Sequence, residues 1–246
     1  MCYGDEALPP LPPVIAGGAA DAGDLTLRSA DGTEFMAYHA RASAPNGAGI
    51  VILPDVRGLH EFYKELARRF AEAGVHAIAI DYFARTAGNT ARDESFEYRP
   101  HVEQTPPDAI DSDTRAAIEY LRSAEGGSPQ RVYTVGFCWG GSNSWRQSAA
   151  QEGLQGAIGF YGVPSRVEDA IPRMHAPLLV LAAGQDFTPV EATEQFAERV
   201  RSSGVDATVK VYPDAPHSFF DRTFAEHKDD CDDAWRQMLS FMGASG

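Results

Sequence analysis

Val132-Tyr133-Thr134-Val135-Gly136-Phe137-Cys138-Trp139-Gly140-Gly141 runs a series of β-formers straight into a cysteine flanked by glycines. Arg131 to Val135 reads as a strand, and a helix follows Gly140. G-x-C-x-G between strand and helix has the form of a nucleophile elbow, with cysteine where serine usually sits. The nucleophile must stand exposed on a tight, strained turn at the strand's C-terminal end. Glycines two before and two after it remove side chains that would clash there. The following helix aims its N-terminal N–H groups and positive dipole end at a thiolate and a developing oxyanion. The bland alternative, a buried structural cysteine, does not explain this strand–turn–helix setting. A dinucleotide-binding fingerprint would need G-x-G-x-x-G, which G-F-C-W-G-G lacks.

Two further pieces follow in order. Leu178 to Ala183 is an apolar strand, and Gly184-Gln185-Asp186-Phe187-Thr188-Pro189 puts Asp186 just beyond its end. Val209 to Tyr212 is the next strand, followed by Pro213-Asp214-Ala215-Pro216-His217-Ser218-Phe219. Taken singly, Asp186 reads as a turn or cap residue and His217 as a surface-loop histidine. Together, nucleophile, acid and histidine occur in the chain order of α/β hydrolases. Each also lies beyond the C-terminus of a strand, where open α/β sheets place their sites. A free thiol, with a pKa of about 8.5, is only about 3% thiolate at pH 7. A neighbouring imidazole and a helix N-terminus would correct this, with Asp186 orienting His217. Water must still hydrolyse the acyl-cysteine, so activated esters and lactones suit such a site better than amides.

The rest of the chain is consistent with this frame. Leu25–Arg28 and Glu34–Ala40 flank Asp31-Gly32 as an N-terminal antiparallel hairpin. Gly49–Pro54, Val75–Ile80 and Gly156–Tyr161 are continuous apolar runs, the mark of strands buried on both faces. Helices are expected around Phe62, Leu66 and Phe70, ended by Gly74; from a cap at Asp108 through Ile110, Ala117, Ile118 and Leu121; around Phe196 and Val200, ended by Gly204; and around Trp235, Leu239 and Met242. Alternating strands and helices imply βαβ crossovers and a mostly parallel sheet with helices on both faces. Tyr82–Pro107 has no clear periodicity and reads as either a functional lid or a plain surface loop. Residues 1–23 read as a Pro-rich arm, lying on the surface or disordered, and residues 24–246 as one α/β domain.

Composition narrows the function. With 246 residues, 43% hydrophobic and 23% charged, the chain is that of a globular protein with a real core. A formal net charge of −14 repels nucleic acid and anionic membranes. No apolar run approaches the length of a membrane span. The acidic, proline-containing N-terminus does not read as a signal peptide. Three cysteines, Cys2, Cys138 and Cys231, are not a disulfide framework and fit a reducing, cytoplasmic setting.

G-F-C-W-G-G, G-Q-D-F-T-P, A-P-H-S-F, the D-Y-F-A-R segment and the G-F-Y-G segment, spread over Asp24 to Met242, resemble the dienelactone hydrolase (carboxymethylenebutenolidase) family. The resemblance implies a monomeric α/β hydrolase without a cofactor, opening a small lactone through a Cys–His–Asp triad. Carried over, Cys138 is the nucleophile, His217 the general base and then acid, and Asp186 the orienting acid. Asp55 matches an acidic residue that holds the resting thiol, although the family usually has the longer glutamate there. The oxyanion donors would be the backbone N–H groups of Trp139 and Val56. Arg85 matches one of two arginines that bind a substrate carboxylate; the other position is Asp221 here, followed by Arg222. Arg57 is a candidate substitute clamp. Tyr161 and Trp139 are expected to line the pocket.

His227 and Cys231, spaced i, i+4, could hold a metal but lie in an acidic run that reads as a solvated helix face. His60 and His101 have no partners at ligand spacing, and no metal is expected. The main expectation is an ester or lactone hydrolase for a small substrate, anionic ones included. The alternatives are a hydrolase-fold ligand-binding or sensing protein with a vestigial triad, and a broader-scope carboxylesterase.

Overall fold

The computed structural model describes residues 6–221 and 223–244. Cys2 and Arg222 therefore lie outside the described residues. Strands β1 (Ala19–Arg28), β2 (Glu34–Ala42), β3 (Ala48–Leu53), β4 (His76–Ile80), β5 (Arg131–Phe137), β6 (Gly156–Phe160), β7 (Leu178–Gln185) and β8 (Ala207–Pro216) form one sheet in the order β1-β2-β4-β3-β5-β6-β7-β8. The β1–β2 hairpin and the β2–β4 contact are antiparallel. From β4 to β8 every pairing is parallel.

Parallel pairing requires crossovers, and the helices supply them: α1 (Glu61–Glu72), the short α2 (Ala84–Ala87) and α3 (Arg99–Gln104), α4 (Pro107–Arg122), α5 (Trp139–Ala150) and α6 (Val190–Ser202). The terminal helix α7 (Lys228–Phe241) returns beside α1. Central strands are buried on both faces, so their alternate side chains enter two cores. Ile50 and Ile52 join Phe62, Phe70, Trp235 and Leu239 on one face, while Val51 and Leu53 join Ile118, Leu121, Trp145 and Phe196 on the other. No helix among the described residues is long and apolar enough to cross a membrane.

Four local readings need correction. First, Ala19–Gly23, assigned above to the arm, are the first half of β1, pairing with His39–Ala42. This edge segment is largely exposed and has no apolar alternation to announce it. Second, α4 begins at Pro107 after Pro106, without a side-chain cap, and Asp108 instead reaches Arg146 at 3.1 Å. Third, β8 continues past Tyr212. Ala183 pairs with Tyr212 and Gln185 with Pro216, so two extra β8 residues are absorbed in an irregularity. Fourth, Cys231 does not belong to a solvated face: it is buried in the core, and its thiol lies 3.6 Å from the Phe219 carbonyl. The described part of the arm, residues 6–18, packs against the rest of the chain at its prolines. Pro9, Pro10 and Pro12 are buried, and Trp235 Nε1 donates to the Pro10 carbonyl at 3.1 Å.

The aperiodic stretch after β4 is pinned down from within. Tyr82 and Phe83 are fully buried. Arg92 turns inward and meets Asp81 in a bidentate pair, Nε–Oδ1 3.0 Å and Nη2–Oδ2 2.8 Å, with both side chains inaccessible. Its remaining donors reach the Gly88 and Thr90 carbonyls. Asp81 also accepts from the Leu59 and Phe83 amides, so one ion pair ties this stretch to the loop after β3. Arg92→Met would strand a buried carboxylate, which costs about 3–5 kcal/mol. Urea denaturation should read a loss of that size; a loss below about 1 kcal/mol, the surface-pair range, would contradict it.

Candidate active site

A parallel sheet brings the C-terminal ends of its strands to one edge. Asp55 and Val56 follow β3, Asp81 follows β4, Cys138 follows β5, Tyr161 follows β6, Asp186 follows β7 and His217 follows β8. Register then sets their lateral order. Leu53 pairs with Gly136, two residues short of both Asp55 and Cys138. Phe137 pairs with Phe160, so Cys138 and Tyr161 leave adjacent strands together. Gln185 pairs with Pro216, so Asp186 and His217 do the same.

Cys138 has φ 55° and ψ −113°, a conformation that L residues avoid. Its amide donates to the Phe160 carbonyl at 3.1 Å, and its carbonyl accepts from Gly141 N at 3.0 Å. The glycines are needed because backbone meets backbone around this turn. A Cβ on Gly136 would stand 1.9 Å from Gly140 O, and one on Gly140 would stand 2.1 Å from the carbonyl oxygens of Leu53 and Pro54. Cys138 is half-buried and directly precedes α5. The Trp139 amide opens that helix, outside its own hydrogen-bond ladder. Tyr161 (φ 37°) and Ser218 (φ 64°) also take positive φ, so three of the four such non-glycine residues among those described lie at this sheet edge.

Asp186 and His217 form a close pair. Nδ1 of His217 lies 3.0 and 2.9 Å from the two Asp186 carboxylate oxygens. The Asp186 side chain is 2% exposed and that of His217 20%. A carboxylate on Nδ1 fixes the tautomer that leaves Nε2 for chemistry.

The loop carrying Val56 is anchored at several points. The Asp55 amide donates to the Tyr63 hydroxyl at 3.0 Å, the Tyr82 hydroxyl donates to the Pro54 carbonyl, and the Leu59 amide donates to Asp81. Gly58 N donates to Asp55 O, closing the turn around Val56. Burial, together with the nearby charges of Asp55, Asp81 and Cys138, holds the Tyr82 phenol well above its ordinary pKa, so it remains a donor. Asp55 is fully buried, and its Oδ1 accepts from the Arg57 amide at 2.9 Å. Arg57 is itself 2% exposed, with Nε 3.9 Å from that oxygen. Asp81 and Tyr82 belong to the D-Y-F-A-R segment, but that motif does not show what they hold, and Tyr63 and Arg92 lie outside every motif quoted; buried polar partners of this kind become evident only in three dimensions.

Arg85 does not fit the substrate role expected of it. Nη1 and Nη2 grip Asp113 at 2.7 and 2.8 Å, and Nε holds Asp31 at 2.8 Å. These contacts raise its pKa above the usual value. The guanidinium joins α4 to the β1–β2 hairpin, and its charge is taken up there. Tyr161 and Trp139, expected as pocket lining, are both buried. Tyr161 packs on His217 at 4.9 Å between centroids, and Trp139 stacks on Phe83. Asp221 is buried. His227 pairs with Asp230, and His60 caps α1 by accepting from Phe62 N. Among the described residues no group of three or more His, Cys, Asp or Glu is placed to hold a metal ion.

The model of the dienelactone hydrolase family matches residues 35–246. The chain belongs to the dienelactone hydrolase family. It is 31% identical to a Salmonella typhi protein named "Putative carboxymethylenebutenolidase", over 93% of this chain and 89% of that one. It is 30% identical to an Escherichia coli protein of the same name, over 90% and 87%. A Klebsiella pneumoniae crystal structure described as a "Putative Dienelactone Hydrolase" superposes with a TM-score of 0.72 at 26% identity, covering 91% of this chain and 98% of that one.

The two described thiols should differ sharply in reactivity. Burial pushes the Cys231 thiol up to about 12, so its thiolate fraction at pH 8 is about one in ten thousand. Iodoacetamide at pH 8 should modify the Cys138 peptide of the native protein and leave Cys231 unmodified until urea is added. Peptide mapping that found equal labelling would contradict the assigned burial.

Proposed function

We propose that this family member is a carboxylic-ester or lactone hydrolase that works through Cys138, His217 and Asp186. The observation that carries the reading is the Asp186–His217 pair, held at the same sheet edge as a cysteine on a strained elbow. Cys138 Sγ attacks the substrate carbonyl as His217 Nε2 takes the thiol proton. The backbone N–H groups of Trp139 and Val56 receive the oxyanion. Collapse breaks the ester C–O bond, and His217 returns its proton to the departing oxygen. Water, deprotonated by His217, then cleaves the thioester and releases the acid and free thiol. Asp186 orients the imidazole throughout. Asp55 is assigned the resting-state role, acting from the loop beside the elbow.

The substrate is a small ester or lactone, dienelactone-like in its reacting group. With Arg85 bound to Asp113 and Asp31, it is not the anchor for a substrate carboxylate. Arg57 is the arginine on the loop next to the elbow and the candidate for that task.

p-Nitrophenyl acetate and a dienelactone should both be turned over, with an acetyl adduct trapped on the Cys138 peptide. Cys138→Ala should lower kcat/KM by about a thousandfold or more, and Asp186→Asn should act mainly on kcat. Full turnover by Cys138→Ala would overturn the reading. Tight lactone binding by calorimetry without product would favour a binding protein. Arg85→Ala should lower the Tm while leaving the ratio of kcat/KM for acidic and neutral esters unchanged; a selective loss on acidic esters would return Arg85 to the site.

A further inference from the structure

The His217 imidazole contacts two aromatic rings of different character. Tyr161 is buried. Phe187 packs 4.6 Å from the imidazole between centroids, with planes at 36°, yet is 68% exposed. The other large hydrophobics so exposed among the described residues, Leu8, Leu11, Val14 and Ile15, all lie on the N-terminal arm. The Phe187 backbone is held in place: its amide donates to Asp186 Oδ1 at 2.6 Å, and Pro189 and α6 follow closely. A ring this open contributes little to folding, and covering it with a ligand would remove apolar surface from water.

The chemistry indicates which part of a ligand would cover it. His217 must protonate the leaving oxygen, so that oxygen lies within hydrogen-bond reach of the imidazole. The acyl carbon is then at Cys138, and whatever the leaving oxygen carries extends past the histidine. The adjacent Asp186 is turned inward to His217 with its side chain only 2% exposed, and the other residues of the turn, Gln185, Thr188 and Pro189, are uncharged. We propose that Phe187 is a specificity-determining residue that receives a neutral, apolar or aromatic group on the alcohol side of the ester or lactone. This rests on the catalytic reading above and adds the substrate class.

Benzyl acetate, ethyl acetate and ethyl phenylacetate separate the two sides of the ester. Phe187→Ala should lower kcat/KM for benzyl acetate about tenfold and for the two ethyl esters less than about twofold, the tenfold loss being about 1.4 kcal/mol of transition-state contact. Phe187→Leu, which keeps much of the apolar surface, should retain most of the benzyl acetate activity. Benzyl alcohol should inhibit the wild type, with a higher Ki against Phe187→Ala. Equal loss on all three esters would mean that Phe187 merely shields His217 and would overturn the proposal, as would no loss on any. Both outcomes leave hydrolysis by the wild type and its dependence on Cys138 intact. Failure of the catalytic reading would instead appear as Cys138→Ala retaining turnover.

Discussion

One backbone conformation sets the rest of the site. Cys138 is held at φ 55° by contacts that leave no room for side chains at Gly136 and Gly140. Such a residue costs roughly 1–3 kcal/mol and persists only where its surroundings over-determine it. Here the amide is bound to Phe160 O and the carbonyl to the first turn of α5. The same contacts bring the start of α5 against the end of β3, because Gly140 touches the Leu53 and Pro54 carbonyls. The turn that raises the thiol therefore also sets the spacing between the helix N-terminus and the loop carrying Val56.

The sheet does the remaining positioning through register. Side chains one or two residues beyond parallel strands arrive at one edge without any specific attraction between them. What needs local adjustment is phase. The extra residues in β8 between Tyr212 and Pro216 make Pro216 the partner of Gln185, and this sets His217 beside Asp186. Without that irregularity the imidazole would be displaced along the strand, and the 2.9 Å contact could not form.

These two devices differ in how far they could be read from the sequence. The elbow was legible because the glycines, the cysteine and the β-run are contiguous, and the central strands because burial on both faces leaves an uninterrupted apolar run. The first half of β1 was not legible, since an exposed edge strand needs only backbone pairing. Helix α5 was seen only as following the elbow. Its buried face is largely polar: Ser144 bonds Thr134, Ser148 bonds the Ala176 carbonyl, and Arg146 bonds Asp111. Satisfied polar groups of this kind produce no hydrophobic period. The arginines were hardest to assign. Arg85 and Arg92 lie seven residues apart in one aperiodic stretch, and only the positions of Asp113, Asp31 and Asp81 reveal that both serve the fold.

That use of charge bears on specificity. All three guanidinium nitrogens of Arg85 are hydrogen-bonded to carboxylates, so turning it to a substrate anion would strand Asp113, at a cost of several kcal/mol. Arg85 is held in this way by Asp113, whose side chain is fully inaccessible. On the histidine side of the site the group that stands open is Phe187, an uncharged ring that would select by apolar contact under the proposed reading. The arginine matched by the family motif is thus present in the sequence while its charge serves the hairpin–helix junction, so motif identity and site function separate at this residue.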